Sequence, residues 1–200
     1  MKNEVDNFEF TLKKKIIKPT FSTSLDSLSF YTKDLKIKSI NQNNNFFIYI
    51  NKQKILVGKL KTINDMWSGK DSVKYANQIT RINYYQDLNK ILLQLDFDMC
   101  VGIGCSVNYQ LIHDLKTKKT YPFGRFRTGI DMDLYKIENR EYYLSKTYHG
   151  GNVELKDTIF YEMFELNDIL KPYPKGKKIA RFTGEGSDYK VDTDFTEIKF

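Results

Sequence analysis

The sequence predicts an all-β protein, an antiparallel meander with blade-like repeats of about 50 residues that forms a sandwich, an open barrel or a partial propeller. Three observations carry this expectation. Tyr and Phe number 14 each, whereas Ala76 and Ala180 are the only alanines; aromatic rings suit the half-buried surface of a sheet, and alanine is the strongest helix former. From residue 46 onward, apolar-rich runs of roughly 6–9 residues alternate with short polar turns, the spacing of consecutive antiparallel strands. The chain also echoes itself: "NKILLQL" at 89–95 returns as "NREYYLS" at 139–145, and "YQLIHDL" at 109–115 returns as "YEMFEL" at 161–166. "NNFFIYI" at 44–50 reads as a shortened third copy. Such a period marks a propeller blade or a repeated meander, and two clear copies are too few for a closed propeller, which takes about four or more blades.

Taken in order, residues 1–45 are polar and irregular, with "FEFTL" and "DLKIKSI" alternating well enough to serve as edge strands. Residues 46–170 form the expected β core. "FFIYI", "NKQ" and "KILVGKL" make a hairpin; "MWSGKDSVKYANQ" at 66–78 interrupts it and is expected to hold a short helix around Val73–Ala76. Then follow "ITRINYY", "ILLQLDF", the cysteine stretch, "VNYQLIHDL" and "TYPFGRF", and after Gly129 "IDMDLYKI", "EYYLSKTY" and "TIFYEMFEL". Residues 171–200 open with Pro172 and Pro174 as an extended linker, and "KIARF" and "FTEIKF" are expected to return to the sheet. One domain is expected overall.

Charge narrows the partners. The net charge is +7, but only five of the 32 basic residues are arginine. Sequence-specific readers of nucleic acid rely on arginine's fork, whereas lysines on turns and strand edges serve solubility, so no specific nucleic-acid partner is expected. There is no run of 18 apolar residues, so no transmembrane segment is expected. The first residues lack the apolar core of a secretory signal, which reads as cytoplasmic. A periplasmic or exported location is expected instead if Met1 is not the native start and Cys100–Cys105 is oxidised.

Several residues invite chemical readings. Cys100 and Cys105 flank Gly102 and Gly104, and a tight reversal can bring their Cα atoms within the roughly 4.4–6.8 Å of a disulfide. Two reduced thiols in a hairpin remain the other reading. Zinc needs two more ligands and only His113 and Asp114 are near; a redox pair needs C-x-x-C at a helix start. No metal or cofactor is expected. His113 and Asp114 are strand neighbours and so face opposite sides, which keeps them from orienting each other as in a catalytic triad. His149 falls in the turn-like "YHGGN". Asp96 with Asp98, and Asp131 with Asp133, form two D-x-D pairs on β segments; they are the basis of an alternative reading as a hydrolase or cation-dependent enzyme.

The order "CVGIGCS…YQLIHDLKTKKTYPF" resembles a segment of bacterial exported proteins of unknown function, in which a Gly-rich Cys pair precedes an I-x-D strand and a K-T-G-K-x-Y turn. The resemblance covers residues 100–123, departs at Lys118, where that turn carries Gly, and departs in the cysteine spacing. It implies a hairpin after the cysteines and an extracytoplasmic relative, and it carries over no catalytic residue.

Arg125 and Arg127, with Tyr121 and Phe126 close by, and the lone Trp67 are the candidate recognition residues, because aromatics and arginine dominate interface hot spots. The expected function is a non-catalytic binding protein with a protein partner, of the bacterial immunity, inhibitor or cell-envelope accessory kind.

Overall fold

The computed structural model describes residues 4–24, 29–63, 72–97, 107–126, 131–149, 157–168, 179–185 and 188–191. Chain order runs α1 (Glu4–Lys13), β1 (Ile16–Ile17), β2 (Phe21–Ser24), β3 (Ser29–Tyr31), β4 (Lys36–Gln42), β5 (Asn45–Ile50) and β6 (Gln53–Leu56), followed by a 3-10 turn at Val57–Lys59. It continues with β7 (Gln78–Tyr85), β8 (Lys90–Asp96), β9 (Asn108–Asp114), β10 (Thr120–Phe126), β11 (Leu134–Ile137), β12 (Arg140–His149), β13 (Asp157–Glu165), β14 (Ile179–Glu185) and β15 (Asp188–Val191). The protein is all-β in character, with one helix and three open, antiparallel sheets among the described residues. No helix among them is long and apolar enough to cross a membrane.

The chain divides into two compact units: Pro19–Met132, and Met1–Lys18 with Asp133–Phe200. The central unit holds a sheet ordered β10-β9-β8-β7-β2 and another ordered β3-β4-β5-β6. Strand alternation explains how they join. Ile37, Phe46, Ile48, Ile50 and Ile55 from the four-stranded sheet share one apolar cluster with Ile82, Ile91, Leu93, Leu95, Tyr109 and Leu111 from the five-stranded sheet. Each set occupies every second position of its strands, so two inner faces meet as a sandwich.

The other unit is a meander, β1-β11-β12-β13-β14-β15, with α1 packed on it. Val5, Phe8 and Leu12 recur at helical spacing and join Tyr142, Leu144, Ile159, Tyr161 and Met163 in a second cluster. Glu9, one residue past Phe8, accepts hydrogen bonds from Lys146 Nζ at 2.6 Å and from the Tyr161 hydroxyl. Burial would raise the Glu9 pKa, but these two donors outweigh it and hold the carboxyl below its ordinary value. "FEFTL" is therefore helix and not edge strand. Its two-residue aromatic alternation left out Val5, and of its two rings Phe8 is packed while Phe10 stays exposed.

Turns set the registers. Asn43 and Asn44 join β4 to β5 with φ of 50° and 59°, and Glu138 and Asn139 join β11 to β12 with 50° and 61°, both as two-residue hairpin loops. A pair of positive φ values gives the loop the twist of the strands it connects, and asparagine tolerates it better than most residues. Asn44, Asn89 and Asn139 each end a turn in this conformation and open β5, β8 and β12. The sequence echo is thus a repeated hairpin closure with the strand that follows. The registers are not identical: Lys90 lies opposite Asp114, while Glu165 lies opposite Tyr142, two residues beyond Arg140. "KIARF" returns to pair with β13 as part of β14, and "FTEIKF" lies outside the described residues. Residues 73–76 are neither helix nor strand and bend at Tyr75, and just before them Lys61 bridges Ser72.

Gly124 sits where β10 gains one residue against β9, between the pairs Phe123–Gln110 and Phe126–Asn108. Its φ is +119°, and a Cβ there would lie 2.9 Å from the Asn108 carbonyl oxygen. Only glycine fits this bulge. Gly124→Ala should lower stability by about 1–3 kcal/mol in urea denaturation, whereas Gly58→Ala, with nothing within 4 Å of the new methyl, should stay within about 0.5 kcal/mol of the parent.

Candidate functional site

The central sandwich has a cleft at each end. The larger, of about 700 Å³, lies where the Asn43–Asn44 turn faces the segment around residues 73–77. Its floor is apolar, with Phe46, Val73 and Ala76 buried. Its walls are amides: Asn41, Gln42, Asn43, Asn44, Asn45 and Asn77. The Nδ2 group of Asn41 donates to the Asn77 carbonyl at 2.7 Å, and Asn77 N–H donates to the Asp96 carbonyl at 3.0 Å. This links the β4 end to the β8 end across the two sheets. Asn45 Nδ2 donates to the Asn43 carbonyl at 2.9 Å. Two amide planes are thereby held before any ligand arrives. Half-buried Phe97 also lines the cleft and meets Tyr75 edge-on at 6.3 Å, and Lys74 is exposed at the rim.

The smaller cleft, of about 500 Å³, lies at the opposite end, between the β5–β6 turn and the β9–β10 turn. Ile50, Asn51, Lys52, Gln53, His113, Leu115 and Lys118 line it. Gln53 Nε2 donates to the Lys118 carbonyl at 2.8 Å and ties the two turns together. Lys118 has φ of 59°, a left-handed conformation that favours glycine or asparagine.

His113 is 1% exposed, and its Nδ1 lies 2.9 Å from Thr120 Oγ1. Burial pushes its pKa down to about 4, opposing the pull of the Asp114 carboxylate, so the ring is neutral at pH 7. Asp114 faces the other way and pairs with Lys90 Nζ at 2.6 Å. Burial alone would raise the Asp114 pKa; the Lys90 hydrogen bond and the N–H groups of Thr117 and Lys116 outweigh it and lower the pKa. His113 and Asp114 therefore do separate jobs, as strand alternation requires.

The residues expected at a recognition hairpin fare differently. Phe126 is fully buried, as is Phe123, so Phe126 is interior and not a surface anchor. Tyr121 is half-buried opposite Ile112. Arg125 belongs to β10, but its side chain lies outside the described set; Arg127, Trp67, Cys100 and Cys105 lie outside the described residues. Asp98 does too. Asp96 ends β8 and accepts from Gln94 Nε2 at 3.2 Å; Asp131 and Asp133 precede β11 and are not on a strand. None of these three aspartates is among the described residues lining either cleft. His149 ends β12 opposite Thr158, in a strand and not a turn. Among the described residues, no group of three or more His, Cys, Asp or Glu is placed to hold a metal ion.

No family model matches the chain, and no curated protein and no solved structure matches it.

The signal for the larger cleft was in plain view, as six amide residues in "NQNNN" and Asn77. Polar composition there reads equally as a loop, and only the Asn41–Asn77 bond makes it a wall.

A histidine whose pKa falls from 6.5 to about 4 on folding makes the unfolded chain the better proton binder between those values. Stability should therefore fall by roughly 3 kcal/mol as pH drops from 6.5 towards 4. His113→Gln should flatten that window in pH-dependent urea melts. The contribution of Asp114, whose pKa is lowered, should be lost only at more acidic pH, so the variant keeps its acid limb below the ordinary aspartate range.

Proposed function

We propose that this chain is a non-catalytic binding protein that holds an extended segment of a protein partner in the asparagine-walled cleft. The observation that supports this reading is the Asn41–Asn77 hydrogen bond, which ties one amide of the wall across the mouth of the sandwich. An amide side chain offers the same donor and acceptor as a peptide group, so a row of them can pair with main chain of varied sequence. The apolar floor and the Phe97 edge supply burial for one or two partner side chains, the combination found in concave binding sites. A pre-fixed wall also reduces the ordering cost that weakens flexible sites. Such a part suits an inhibitor, immunity or envelope accessory role. Arg125 and Arg127 would add a second, basic contact surface.

Because Asn43 and Asn44 need positive φ, their substitution must spare the turn. The double change Asn43→Gly and Asn44→Gly removes both amides and keeps the backbone accessible. Peptides selected from a random display library on the parent chain should bind the double variant at least tenfold more weakly, with the melting temperature little changed. If selected peptides bind both equally and lose affinity only with Arg125→Ala and Arg127→Ala, the cleft is not the partner site.

A further inference from the structure

We infer that the second cleft, at the opposite end of the same sandwich, binds a small aliphatic monocarboxylate between Lys52 and Lys118, with His113 donating from below. This inference is independent of the asparagine cleft and concerns a different ligand. Its volume of about 500 Å³ lies within the roughly 300–1,000 Å³ usual for small-molecule sites.

The local charge favours an anion. Lys52 and Lys118 are exposed at the rim, whereas the one carboxylate on the neighbouring stretch of β9, Asp114, is already neutralised by Lys90 and by two backbone N–H groups. The donor set favours a monoanion. Two mobile lysines and one imidazole N–H match a carboxylate, while a phosphate dianion calls for a denser fixed array such as an arginine fork or a nest of backbone N–H groups. We assign His113 the tautomer that makes it the fixed donor: its Nδ1 lies 2.9 Å from the Thr120 hydroxyl, and with that hydroxyl donating, the proton of the neutral ring is on Nε2. The apolar lining sets the rest of the ligand. Ile50 is buried and Leu115 partly buried against the core, and they offer a surface to a hydrocarbon stem. Each methylene fully buried there should tighten binding about fourfold. The bond from Gln53 Nε2 to the Lys118 carbonyl holds the two turns together, so the rim is formed without the ligand.

The chain has two histidines, so the His113 ring can be followed by NMR in the full-length protein. At pH 7, hexanoate should shift the His113 ring resonances saturably and at least tenfold more tightly than acetate, and hexanamide should not bind. Lys52→Ala and Lys118→Asn, the latter compatible with the left-handed backbone, should each weaken hexanoate at least threefold without unfolding the protein. The inference is overturned if hexanoate gives no saturable shift, if inorganic phosphate or hexanamide binds as well as hexanoate, or if the double lysine variant binds hexanoate unchanged. A peptide with a free aliphatic C-terminus that binds at least tenfold tighter than hexanoate, and loses this on amidation, would replace the small molecule with a protein terminus.

Discussion

Left-handed backbone at hairpin turns is the constraint on which the rest depends. In a meander each strand's register follows from the turn before it, and a slip of one residue would turn every side chain to the other face. Asn43, Asn44, Asn51, Asn89, Lys118, Glu138 and Asn139 all have positive φ, and all lie in loops between paired strands. With those turns set, Ile91, Leu93 and Leu95 fall on one face of β8 while Lys90 and Leu92 fall on the other. The same parity sends His113 towards the sandwich interior and Asp114 to its partner Lys90. A turn conformation thus decides which polar group is buried and which is paired.

The two clefts follow from the same arrangement. A sandwich buries its faces and leaves its ends to loops, and loops held by a rigid scaffold are where binding residues collect. One end is walled by amides, two of them bonded to backbone carbonyls, and the other is made of two turns tied by Gln53 and rimmed with lysine. Neither end is rich in perturbed acids. Apart from His113, groups whose pKa values move are held in packing, with Glu9 held by Lys146 and Tyr161, and Tyr143 raised far above its ordinary value by complete burial and, after that, by Tyr135.

Much of the fold was legible in the sequence because period-two alternation and turn residues are local signals. The hairpin of "FFIYI" and "KILVGKL" is β5 and β6, and "DLKIKSI" holds β4. What alternation alone missed were cases where another contact decides. α1 is a helix because Val5, Phe8 and Leu12 find an apolar sheet face at helical spacing. Residues 73–76 are not helical because Val73 and Ala76 are drawn into the apolar cluster of the sandwich. The candidate site was less legible. Phe126 looked like a surface anchor because its neighbours are charged, yet the bulge at Gly124 restores the pairing that places it inside. The amides of the larger cleft come from segments 36 residues apart, a juxtaposition visible only once β4 and β8 are in place.

The central claim is that the amide wall is ordered before a ligand arrives, and the side-chain amide region of a two-dimensional ¹⁵N–¹H spectrum tests it most directly. The account predicts that the Asn41 and Asn45 Nδ2 resonances of the free protein are dispersed from the crowded region of solvated amides, and that they shift on addition of a bound peptide. Resonances that sit in that crowded region and stay there when peptide binds would contradict it.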